Sequence, residues 1–161
     1  MQKNIQILAF SHLKSLYNTN NREEEISFEA NPNFPAHLSG IEENKKYICK
    51  GGVISFQSGN HELFLEFKNH LSKIAGFDDY EHIWRLKPLG YFVEFIYFTD
   101  DKGSIGPIIS SKLYKDFSDN FQHAKEYFDK IHNGNTFFAL YQNWKKAFYF
   151  AKNHGAISIS S

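Results

Sequence analysis

Four carboxylates near the middle of the chain have the types and spacing that chemistry needs: Glu94, Asp100, Asp101 and Asp116. Carboxylates brought to one place can run general acid–base catalysis or hold a divalent cation through oxygen. The competing reading is structural. Glu94 and Asp116 then pair with Lys112, Arg85 or backbone N–H groups, and Asp100 closes an Asx turn. Glu94 is the pivotal residue, because it is the one charged side chain in the apolar run Phe92–Phe98. A carboxylate in such surroundings must find donors or take up a proton.

Other catalytic and metal patterns fail on spacing. His61-Glu62 opens like a zinc-protease helix, but Leu65 stands where the second histidine is needed. His61 and His70, like His123 and His132, are too far apart to share a helix face one or two turns on. The eight histidines read as surface or capping residues. Asp100-Asp101-Lys102-Gly103 does not continue as a calcium loop, since Ile105 occupies its glycine position. A Gly-x-Ser-x-Gly elbow is missing, and so are the glycine-rich phosphate motifs. Cys49 is the single cysteine, which excludes an internal disulfide and a cysteine-based zinc knuckle. It reads as a small strand residue. No cofactor and no metal is expected.

The elements that must place the carboxylates run from Tyr91 to Phe117. Phe92–Phe98, aromatic and β-branched, predicts a strand buried on both faces. Asp100, Asp101 and Gly103 predict a turn. Gly106-Pro107 leads into Ile109, Leu113 and Phe117, which share one helical face. A strand, a bend and a helix N-terminus can bind an anion, but Pro107 removes one donor and the bend reads as structural.

This stretch resembles a family of small bacterial proteins with the approximate pattern Glu-x-Ile-x-Phe-x-Asp-x-x-Gly-x-Ile-Gly-Pro-x-x-Ser-x-Lys-Leu-x-x-Asp-Phe. Glu94, Ile96, Phe98, Asp100, Gly103, Ile105, Gly106, Pro107, Ser110, Lys112, Leu113, Asp116 and Phe117 match, whereas Tyr97, Thr99, Asp101 and Lys102 depart from the family's usual residues. Phe56, Gly59, Leu71, Ala75 and Gly76 before it, and Tyr141, Trp144, Ala147, Phe148 and Gly155 after it, extend the likeness. No established activity comes with the family, so the resemblance implies architecture and a bacterial setting.

A chain of 161 residues is expected to form one domain, with residues 18–45 as an irregular arm or loop. Its 17 phenylalanines and nine tyrosines predict an aromatic core. The formal net charge is zero, which argues against nucleic acid and against an anionic membrane as partners. The N-terminal apolar run is too short for a signal peptide or a span, so a cytoplasmic protein is expected.

Along the chain, Ile5, Leu8, Leu13 and Leu16 predict a helix over 4–17, and Ile26–Glu29 a short strand. Asn31–Gly40, with two prolines, reads as a loop that could close as a lid on a partner. Lys46–Lys50 and Val53–Gln57 around Gly51-Gly52 predict a hairpin. Leu63, Phe67, Leu71 and Ile74 mark a helix near 60–75, with Lys68 and Lys73 facing away from its stripe. Asp78–Pro88 reads as an irregular turn. Helices are expected near 107–131 and 136–153, with Trp144, Phe148, Phe117 and Leu71 in the core. Ile157 and Ile159 alternate with serines as a final edge strand.

The sum is a single α+β domain: a small, mainly antiparallel sheet against three or four helices. The function it fits is a non-enzymatic binding or accessory protein of a bacterial cytoplasm, a toxin-immunity protein being one such type, with another protein as partner. The alternative is a small hydrolase or metal-dependent enzyme built on the carboxylates around Glu94 and Asp100.

Overall fold

The computed structural model describes residues 3–16, 24–98 and 102–161. It is an α+β domain, with antiparallel sheets and helices packed around one aromatic-rich core. Strands β1 (Gln6–Phe10), β4 (Val53–Gln57), β5 (Gly103–Ile105) and β6 (Ala156–Ser160) form a sheet in the order β4-β1-β6-β5. Strands β2 (Leu13–Ser15) and β3 (Tyr47–Cys49) form a second, smaller one. The α-helices among the described residues are α1 (His61–Ile74), α2 (Tyr80–Leu86), α3 (Val93–Tyr97), α4 (Pro107–Asp119), α5 (Phe121–Asp129) and α6 (Gly134–Ala151).

The N-terminal segment is strand rather than helix. Ile5, Ile7 and Ala9 alternate into the core, a period of two that the helical spacing of Leu8, Leu13 and Leu16 concealed. The glycine pair is a corner and not a hairpin tip. Phe10 pairs with Val53 and Leu13 with Cys49, so two residues on one strand oppose three on the other. That extra residue is a β-bulge, which kinks a long antiparallel ribbon into two sheets. A Cβ on Gly51 would sit 2.3 Å from Ser11 Oγ and 2.7 Å from the Ser11 carbonyl oxygen, so the corner needs glycine.

The final strand lies inside the sheet. β6 pairs with β1 on one side and β5 on the other, which seats Ala156, Ile157 and Ile159 in buried positions. Ile26 contributes only an isolated bridge to Tyr47. Asp78–Pro88 contains the regular helix α2, started by Asp79, whose side chain accepts the His82 N–H. The helix expected over 107–131 breaks at Asn120, whose amide bonds the Asp116 carbonyl one turn back. Trp144, Phe148, Phe117 and Leu71 are fully buried, as their stripes implied. No helix among the described residues is long and apolar enough to cross a membrane.

The segment from Phe28 to Ile41 is strapped to the domain. Phe28 and Leu38 pack with Phe10, Tyr47 and Ala156 in a smaller core, and Asn31 and His37 are buried. A 3₁₀ turn, Pro35–Leu38, delivers His37 into the interior.

Candidate functional site

Phe92–Phe98 is not a strand. Phe92 takes a left-handed backbone (φ 65°), and Val93–Tyr97 then form one short helix inside the core. A helix hydrophobic on nearly every side must be buried on nearly every side, and Phe92, Val93, Phe95, Ile96 and Phe98 are. A continuous apolar run of this length does not distinguish a buried strand from a buried helix. The signal that could have found it is Phe92, Phe95 and Ile96 at helical spacing, with Glu94 and Tyr97 sharing the one face that reaches the surface.

Burying so short a helix creates a problem at its ends, where backbone donors and acceptors have no partner within the helix. Side chains from four other elements solve it. Asp116 Oδ2 on α4 accepts the Phe92 N–H at 3.1 Å. His37 Nε2 donates to the Glu94 carbonyl at 2.6 Å. Trp84 Nε1 on α2 donates to the Ile96 carbonyl at 3.2 Å. Lys68 Nζ on α1 donates to the Phe98 carbonyl and lies 4.3 Å from the centre of the Phe64 ring.

Two sequence expectations are corrected by this arrangement. Lys68 does not face solvent but is 1% exposed, because its acceptor lies in the core. His37 is neither a surface nor a capping residue of its own segment. Burial holds its pKa below the ordinary 6.5, against the opposing pull of the Glu94 carbonyl and charge. The ring is therefore neutral, and its carbonyl partner places the proton on Nε2.

Of the four carboxylates, the structure unites Glu94 and Asp116. Lys112 lies between them, with Nζ 2.6 Å from Glu94 Oε1 and 2.5 Å from Asp116 Oδ2. It also donates to the Gly90 carbonyl at 2.6 Å. A lysine ammonium has three N–H donors, and these three acceptors use them. Asp116 is buried, which pushes its pKa up; its bonds to Lys112 and Phe92 pull the other way. Arg85, the other cation considered for this role, is exposed on α2. Asp100 and Asp101 lie outside the described residues.

Comparison of the chain with known protein families, with curated proteins and with solved structures finds no match.

The helix N-terminus after Gly106 is closed as well. The Gly106 N–H donates to the His37 carbonyl at 2.7 Å, and the Ile108 N–H makes a long 3.4 Å bond to Ser39. The segment Pro35–Ser39 thus takes donors an anion would use. Among the described residues, the remaining histidines and the cysteine form no group that could hold a metal ion. His70 Nδ1 bonds Tyr127 Oη at 2.7 Å, and burial lowers its pKa, with Lys73 adding to the effect. Cys49 sits in β3, its thiol 3.2 Å from the Ser11 carbonyl.

What the cluster does is mechanical. Lys112 holds Gly90, Asp116 holds Phe92, and Tyr97 Oη donates to the Pro88 carbonyl at 3.1 Å. The loop from Lys87 to Phe92 is pinned at alternate residues, although Lys87 and Phe92 both carry positive φ. Side chains rarely tolerate that conformation unless the surroundings impose it.

Proposed function

We propose that this chain is a non-enzymatic binding protein acting in a bacterial cytoplasm, with another protein as its partner, in the manner of an immunity protein that occupies a toxin. The observation that carries this reading is how the polar side chains around α3 are used. His37, Lys68, Trp84, Asp116 and Lys112 each bond the backbone of residues 90–98. Glu94 is bonded to Lys112. Groups used in this way stabilise a fold and have little capacity left for a substrate. The bacterial setting rests on the resemblance of residues 94–117 to small bacterial proteins.

The enzymatic alternative, a hydrolase or metal-dependent enzyme on Glu94 and Asp100, makes opposite demands. A catalytic or ligating Glu94 would be strained in place, and Glu94→Gln would leave stability equal or higher. The binding reading expects Glu94→Gln to lower stability by about 1–3 kcal/mol through loss of a charge-assisted bond. Thermal melts of both proteins, with and without magnesium, manganese or zinc, separate the two. A mutant that melts no lower, together with an ion that raises only the wild-type melting temperature, overturns the binding reading. The positive arm is affinity purification of the tagged chain from its own cells, followed by reconstitution of the complex from purified components.

A further inference from the structure

Leu89 on the loop that the cluster pins and Leu86 at the end of α2 are the two most exposed large apolar side chains among the described residues. Leu89 is 96% exposed, Leu86 67% and Tyr91 43%. Isolated exposed apolar side chains need no explanation, but two leucines and a tyrosine within six residues, at the end of α2 and on the strained loop after it, concentrate apolar surface in one segment. Because its backbone is held in advance, the loop loses little conformational entropy when its tip is covered. Arg85 and Lys87 flank the patch, are exposed, and make no ion pair among the described residues.

A complementary surface lies at the other end of α2. There α1 and the start of α2 enclose an open cleft whose apolar part is Leu65 and Tyr80 and whose rim carries Glu62, Glu66 and Glu81. These three glutamates also make no ion pair among the described residues. The cleft is acidic and partly apolar, and the loop is basic and apolar.

We propose that the loop of one copy docks in the α1–α2 cleft of a second copy, and the reverse, forming a two-fold dimer. This goes beyond the binding reading and does not rest on it. Loop and cleft sit at opposite ends of a seven-residue helix, about 10 Å apart at 1.5 Å per residue. A two-fold axis crossing α2 would bring the end of α2 in one copy to its start in the other, and each such contact would be made twice. Opposite charges set the register and the wrong pairing, loop against loop, brings cations together. The patches are small beside the roughly 1,200–2,000 Å² of a standard stable interface, so the dimer is weak and concentration-dependent. An anionic membrane suits the loop less well: the net charge is zero, and stable surface anchoring needs a larger apolar face with more cations.

Sedimentation velocity on the full chain, from low-micromolar to sub-millimolar concentration, reads the association directly. The wild type is expected to shift from monomer to dimer, and added salt to weaken it. Leu89→Asp should weaken the dimer about tenfold or more with an unchanged melting temperature, since Leu89 makes little contact within its own copy. Arg85→Glu with Lys87→Glu should be monomeric alone, and so should Glu62→Lys with Glu66→Lys. Mixed together, these two should form a heterodimer, because each loop then faces a cleft of opposite sign. A monomeric wild type at every concentration overturns the proposal. So does a dimer indifferent to Leu89→Asp, or a mixture of the two charge variants that stays monomeric. Binding to phosphatidylserine vesicles that Leu89→Asp abolishes, with a monomer in solution, assigns the loop to a membrane and overturns it too.

Discussion

Phe92 and Asp116 are joined by a single buried bond: Asp116 Oδ2 accepts the Phe92 N–H at 3.1 Å. The bond fixes the residue whose left-handed backbone starts α3, and it ties that residue to α4. The rings repeat the link, with Phe92 edge-on to Phe117 at 4.9 Å between centroids. A carboxylate oxygen thus takes the N–H of the N-cap residue, as the N3 carboxylate of a capping box does, but comes from another helix.

Burial raises the Asp116 pKa above its ordinary 3.8 despite Lys112. A carboxyl with a raised folded pKa favours the folded state most when protonated, and that contribution is lost as pH rises through the folded value. Asp116→Asn keeps an acceptor for Phe92 and does not titrate. The stability of the wild type relative to Asp116→Asn is therefore expected to fall as pH rises from about 3.8. Urea denaturation of both proteins across the acid range measures this; a difference that grows with pH contradicts it.

His37 works in the opposite direction. Burial lowers its folded pKa, so below the ordinary 6.5 the unfolded ring takes a proton that the folded ring refuses. Stability present above that value is lost on acidification. His70, lowered mainly by burial, adds to the same trend. His37→Gln, whose amide nitrogen stands at the position of Nε2 and keeps a donor for the Glu94 carbonyl, should show a shallower loss of stability than the wild type between neutral and mildly acidic pH. Equal slopes for the two proteins would remove His37 from the account.

Trp144 and Phe148 are fully buried one turn apart on α6, their rings stacked at 5.6 Å. Trp144 Nε1 also donates to Ser58 Oγ at 3.0 Å, joining α6 to the end of β4. Truncation of either to Ala is expected to cost about 3–5 kcal/mol, by lost burial and by the cavity left behind. Chemical denaturation tests it, and an unchanged midpoint would place the side chain in solvent.

Gly51 marks the corner between the two sheets. The Cβ of Gly51→Ala would meet the Ser11 carbonyl at 2.7 Å, and a backbone oxygen cannot turn aside as a side chain does. The loss expected is about 1–3 kcal/mol, in the ordinary range for local backbone conflicts. Gly76→Ala is the contrast: nothing lies within 4 Å of its Cβ position, so its cost comes from the positive φ alone. Thermal melts of the two variants should differ, with Gly51→Ala the lower.

Much of the molecule is legible along the chain, and the legible parts share a cause. The stripes of α1 and α6 repeat for several turns, so chance spacing cannot imitate them. Their buried faces, including Leu71, Trp144 and Phe148, follow directly. Glu94 with Lys112 was also within reach, because only a few cations could answer a carboxylate in that run. Short elements are another matter. Residues 4–16 offer a helical and an alternating reading of the same apolar residues, and pairing with β4 and β6 selects the second.

The sequence by itself determined the α+β class, the aromatic core and the long helices, because these depend on periodic burial that is local in the chain. Only the tertiary structure decided what Phe92–Phe98 became and what Lys68, His37 and Asp116 are for. Each of those three side chains bonds backbone groups far away in sequence. A short helix can be buried only where its end groups are satisfied. Its partners are chosen by the folding of α1, α4 and the 31–40 segment around it, and no pattern within seven residues records them.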